Sequence, residues 1–216
     1  MRRISLLALF VSALAPSAAR ADDTAPALRL GAGTNLFTWT GTTTDLGGMH
    51  QENDGYAIGI LSPSLSLDVG ALVTPWLAFG VVGQGAYTSH ATSGGNAESF
   101  TYQALAYVEA SYRVDVARPF ARLYGGVSGS ETQTTISSVF SPGPSTPATT
   151  GSSVVEGAVG GAIGVHCLVT PDFSISPYVA ALYLAGSGQT AGSPSMSYSI
   201  ETISLQVGVT FLGWID

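Results

Sequence analysis

Ser197 to Trp214 reads S-Y-S-I-E-T-I-S-L-Q-V-G-V-T-F-L-G-W. From Thr202 the alternation is strict. Ile203, Leu205, Val207, Val209 and Phe211 fall on one face, and Thr202, Ser204, Gln206, Gly208 and Thr210 on the other. A period of two marks a strand with one apolar and one polar face. The stretch is longer than a usual globular strand of about 3–10 residues. It suits a tilted transmembrane strand, whose membrane part needs about 9–11 residues.

Working outward, seven more segments carry strand patterning: about Leu28 to Thr40, Gly55 to Ala71, Trp76 to Ser89, Ser99 to Arg113, Pro119 to about Thr132, Ser153 to Val169, and Phe173 to Gly186. The fifth is the weakest, because Gly125, Gly126 and Gly129 dilute its alternation. The connections between them alternate in length. Gly41–Asp54, His90–Glu98, Gln133–Ser152 and Ser187–Met196 are long and polar. Leu72–Pro75, Val114–Arg118 and Thr170–Asp172 are short, two of them held by a proline that cannot extend a ladder. Both ends of the strand region fall on the short-turn side. This predicts an all-β, antiparallel up-and-down barrel of about eight strands that crosses a membrane. A secreted soluble β-sandwich is the alternative, but its outer faces would be polar and its loops unsorted.

The turns Val73-Thr74-Pro75-Trp76 and Val169-Thr170-Pro171-Asp172-Phe173, with Ser176-Pro177-Tyr178 soon after, resemble periplasmic turns of small outer-membrane barrels. From about Leu28 to Trp214 the pattern resembles the OmpA-like and OmpX-like eight-stranded class. The resemblance implies a porin-like integral protein of the Gram-negative cell envelope.

The N-terminus fits that destination. Met1-Arg2-Arg3, the apolar run Ile4 to Ala15 and Ala19-Arg20-Ala21 together read as a secretory signal peptide over residues 1–21. An N-terminal segment, 22–27, and a barrel domain, 28–216, follow. Every one of the 7 basic residues is Arg, and three lie in the signal segment. The mature chain then carries four arginines against 14 acidic residues, a net charge of −10. Such a chain is a poor match for nucleic acid. The one cysteine, Cys167, excludes an internal disulfide framework and reads as a buried or lipid-facing residue.

The inward-facing set contains Arg29, Asp68, Glu109, Arg113, Arg122, Glu156 and His166. Charges inside a narrow barrel are costly unless paired, so these residues are candidates for ion pairs that fill the lumen. A filled lumen points to a structural or surface-interaction role. A narrow ion or small-solute channel is the first rival. Asp45, Glu52, Asp54, Glu98 and Glu131 lie in the expected outer loops, with Glu201 at the top of the last strand. They are candidates for holding divalent cations beside lipopolysaccharide phosphates. The expected partners are outer-membrane lipid, lipopolysaccharide and a surface ligand met by the loops, with the protein a monomer. Ser89, His90, Ser93 and Glu98 supply the residue types of a lipid hydrolase, but no H-x-S pattern follows His90. No catalytic residues are assigned. His50 and His166 lack zinc-site spacing, and neither metal nor cofactor is expected.

Overall fold

The computed structural model describes residues 28–58, 64–92, 95–136, 148–191 and 195–215. The signal segment, residues 22–27 and the centre of the Gln133–Ser152 stretch lie outside the described residues. Nine strands follow in order: β1 Leu28–Leu46, β2 Met49–Ile58, β3 Ser64–Thr74, β4 Leu77–Thr92, β5 Gly95–Ser111, β6 Ala117–Ile136, β7 Ala148–Thr170, β8 Phe173–Ala191 and β9 Ser197–Ile215. All pair antiparallel with their neighbours, and β1 returns to pair with β9 from Leu28↔Ile215 to Asp45↔Ser199. That ladder closes the ring through β1, β3 and the strands up to β9, while above it β2 pairs with β1 alone among the described residues.

The ring has eight positions although the described residues form nine strands. β3 pairs with the lower part of β1, Leu28 to Gly33, and β2 pairs with the upper part, Phe37 to Leu46. The two occupy one wall position in turn. The expected single strand Gly55–Ala71 is therefore two elements. The expected loop Gly41–Asp54 is mostly strand, closed by Gly47 and Gly48 at φ 58° and 88°. Two positive φ values make the two-residue turn that matches strand twist, and glycine reaches them without steric cost. β4 and β5 likewise run into the expected His90–Glu98 loop, and β6 and β7 into both ends of Gln133–Ser152. These extensions are polar on both faces, so the apolar alternation that marks a strand is missing from them.

Below the loops the alternation holds. Leu65, Leu67, Val69, Phe79, Val81, Val155, Val159, Ile163, Ile203, Leu205, Val207 and Phe211 all face outward. Cys167 joins them on the outer wall. A wall apolar on its outside and polar within is the inverse of a soluble sandwich, and that alternative fails here. One irregularity changes the inward set. The β1–β9 register shifts between Asn35 and Phe37, so Leu36 and Phe37 both point outward. Above this bulge Thr38, Thr40 and Thr42 take over the inner face.

Glycine is used where an aromatic ring lies down across the ladder. Tyr107 pairs with Gly80, which pairs in turn with Gly70. A Cβ at either glycine would collide with the Tyr107 hydroxyl. Tyr102 over Gly129, Tyr178 over Gly208 and Tyr198 over Gly188 repeat the arrangement, each across one register pair. Gly80→Val is expected to destabilise the barrel by about 1–3 kcal/mol through overpacking. Urea unfolding from lipid vesicles would register this as a lower midpoint.

Candidate functional site: a sealed floor beneath an open vestibule

The lumen is layered from the short-turn end upward. At the bottom Leu72 and Ala78 pack with Trp214. Above them lies an ionic layer. Next comes an apolar layer of Leu105, Ala158, Leu182 and Leu184 with Tyr124 against it. A polar cavity of about 420 Å³ occupies the outer half.

Glu109 is the centre of the ionic layer and is fully buried, as are Arg29 and His166. It pairs across the sheet with Arg122 on β6. Arg29 donates to both carboxylate oxygens, Nη1 to Oε1 at 2.6 Å and Nη2 to Oε2 at 3.0 Å. Arg122 Nε donates to Oε2 at 2.5 Å. His166 Nε2 lies 3.2 Å from Oε1 and, since a carboxylate only accepts, carries the proton there. Asp68 completes the balance, 2.9 Å from Arg122 and 3.7 Å from Arg29. Two guanidinium groups thus face two carboxylates with no net charge.

Tyr107 stitches the layer together. Its hydroxyl donates to Asp68 Oδ1 at 2.7 Å and accepts from Arg29 Nη2 at 2.6 Å. Its ring lies 4.6 Å beneath the Arg122 guanidinium, with Phe120 at 4.9 Å. His166 stacks on Phe120 at 4.3 Å, and its Nδ1 lies 2.8 Å from Ser176 Oγ. That last contact forms where the β7–β8 ladder is open between Gly164 and Cys167, opposite Pro177, which has no N–H to give.

Five of the seven inward candidates therefore meet: Arg29, Asp68, Glu109, Arg122 and His166. Glu156 does not join them. It lies higher on β7 and accepts from Thr202 Oγ1 at 3.1 Å. Arg113 is a correction, because it lies exposed beyond the end of β5. Strand pairing stops at Ser111, and the Val114↔Ala117 bridge turns the chain through Asp115 at φ 54°. Extrapolated inward parity fails once the ladder ends. Arg118, assigned from sequence to the turn, is instead buried, donating to the Pro75 carbonyl at 2.7 Å beneath Trp214. Tyr107 is not among the sequence candidates, because counting along one strand does not show what an inward ring touches. A glycine opposite an inward tyrosine was the available signal.

The outer carboxylates lie apart. Asp45, His50 and Glu52 share the outward face of the β1–β2 hairpin, with His50 Nδ1 3.2 Å from Asp45 and Nε2 3.4 Å from Glu52. Asp54 is paired with Gly41 on the same hairpin, and Glu131 is on β6. Glu98 accepts from Asn96 at 3.0 Å, while the Ser89 hydroxyl is turned to Asn96. The His90 side chain and Ser93 lie outside the described residues.

A closed ring of eight positions, apolar outside and plugged within, defines a transmembrane β-barrel. Residues 4–211 match the family model described as outer membrane protein beta-barrel domain, and the chain belongs to that family. It is an integral protein of the bacterial outer membrane, and barrels of this kind set their short turns toward the periplasm and their longer loops outside. Solved structures with a similar fold include Neisserial surface protein A, 12% identical over 85% of this chain and 97% of that one, with a TM-score of 0.43. OprG from Pseudomonas aeruginosa is 9% identical over 88% and 96%, with a TM-score of 0.47. The outer membrane protease OmpT from Escherichia coli is 8% identical over 93% and 99%, with a TM-score of 0.49. No curated protein matches the sequence.

Two expectations follow from this geometry. Glu109→Ala strands two buried guanidinium groups beside one carboxylate and is expected to cost about 3–5 kcal/mol. Glu109→Leu combined with Arg122→Met is expected to cost less than the single change, as urea midpoints in vesicles would reveal. His50 provides a pH test. Its hydrogen bond to Asp45, then that to Glu52, raises its pKa above the ordinary histidine value. The stabilisation of the hairpin is thus complete below about pH 6.5 and is lost as pH rises through the raised value. NMR titration of His50 should show the upward shift, with Asp45→Asn reducing it more than Glu52→Gln.

Proposed function

We propose that this protein is a sealed outer-membrane barrel that acts at its outer surface, as a structural element and a platform for surface contacts. The observation that supports this best is the ionic layer. Glu109 has four donors around it, the layer is neutral, and apolar layers lie above and below. A hydrated ion would have to break several charge-assisted bonds at once to pass, in surroundings where each is strong. The working surfaces are then the β1–β2 hairpin and the long polar connections, including Gln133–Ser152. Asp45, Glu52, Asp54, Glu98 and Glu131 give this surface its acidity and suit divalent cations that bridge to lipopolysaccharide phosphates. Closure of the ring suits a monomer, formed after residues 1–21 are removed on export.

A narrow channel is the second reading, favoured by the polar cavity of about 420 Å³ that leads down to the floor. Lipid hydrolysis has less support, since the Ser89 hydroxyl contacts an amide rather than a base. Planar-bilayer recording separates the first two. The wild-type protein is expected to give no steady conductance steps, and Glu109→Ala with Arg122→Ala is expected to give them. Steady steps from the wild-type protein would establish the channel instead.

A further inference from the structure

The arginines of this barrel are confined to one end of its axis. Among the described residues, Arg29, Arg113, Arg118 and Arg122 all lie in the periplasmic half or its turns. Of the described acidic residues, Asp68, Glu109, Asp115 and Asp172 share that lower half, while Asp45, Glu52, Asp54, Glu98, Glu131, Glu156 and Glu201 lie in the outer half, where no described arginine does. Lysine is absent from the chain. The mouth is thus a one-sign field over a low-dielectric wall, which draws cations inward.

Inside that mouth sits one carboxylate, Glu156. It is 8% exposed, lines the cavity, and takes part in no ion pair among the described residues. Its one side-chain partner there is the Thr202 hydroxyl. Gln103 lines the same cavity, and its Oε1 is buried with no hydrogen-bond partner among the described residues. A nearly buried carboxylate without a counter-charge is costly, and so is a buried acceptor without a donor. Both deficits would be met by a group that is positive and donates several hydrogen bonds. Beside Glu156, Val154, Leu184 and Ile200 supply aliphatic wall in an otherwise hydroxyl- and amide-lined space. A hard divalent ion asks for about six or more oxygen ligands and several carboxylates, which this wall does not offer.

We propose that the vestibule binds a short aliphatic ammonium compound, its charged head on Glu156 and its stem against Val154, Leu184 and Ile200. The head has three N–H donors for Glu156, Thr202 and neighbouring acceptors such as Gln103. The apolar layer of Leu105, Ala158 and Leu182 forms the floor beneath it, so the site is a dead-end cup loaded from outside.

The test is isothermal titration of the full chain folded in non-ionic micelles at about pH 7, where aliphatic amines are protonated. The probes are 1,4-diaminobutane and its neutral counterpart 1,4-butanediol. The diamine is expected to bind at least about tenfold more tightly, as one charged hydrogen bond allows. Glu156→Gln should erase that preference while the protein keeps its heat-modifiable band on gels. Ser128→Lys places an ammonium directly across the ladder from Glu156 and should block the diamine in the same way. Equal binding of the two probes, or no diamine binding, would overturn the proposal. So would a preference that survives Glu156→Gln, which would place the diamine on the rim acids, or Mg²⁺ displacing it at equal concentration.

Discussion

Closure governs this molecule. In hydrocarbon no water is available to satisfy backbone N–H and C=O groups, so a sheet survives there only when its first and last strands pair. The β1–β9 ladder, running from Leu28↔Ile215 to Asp45↔Ser199, meets that requirement. Once the ring is closed, every strand has a lipid side and a lumen side, and each residue's side is set by its place in the pleat. The apolar residues go out because hydrocarbon is there. The charged ones go in because nothing else can receive them.

A small ring creates a second problem, since its interior is narrow and must be filled with whatever polar groups were sent inward. The solution is a self-neutralising layer around Glu109, held by Arg29, Arg122 and His166 and tied to Asp68 by Tyr107. Tyr107 can lie across the wall only because Gly70 and Gly80 leave the room. Backbone close approach and buried charge are thus one design, and a side chain at either glycine would disturb the ion pairs. Apolar layers above and below remove competing water and strengthen each bond.

Above the floor the barrel changes character. The bulge after Asn35 turns threonines inward, the acidic residues there have no arginine beside them among the described residues, and the arginines stay below. The same wall thereby supports a rigid seal in one half and an open cup in the other. The proposed surface role would draw on the outer half, where the hairpins extend and the lumen is open.

The membrane strands were legible in the sequence because the period-two pattern is a local property, and each inward position can be read by counting along one strand. That counting placed Arg29, Asp68, Glu109, Arg122, Glu156 and His166 inside. It misplaced Arg113, because counting continues past the point where the Val114–Ala117 turn ends the ladder, and it passed over Arg118. It also read the polar hairpin arms around Gly47-Gly48 as loop, since strands outside the membrane have no apolar face to announce them. Only the tertiary structure decided which inward residues touch. Register across the wall and closure between β1 and β9 bring Arg29 to Glu109, 80 positions away in sequence. Those same constraints leave Glu156 apart, because contacts across a barrel depend on strand stagger, which no single strand encodes.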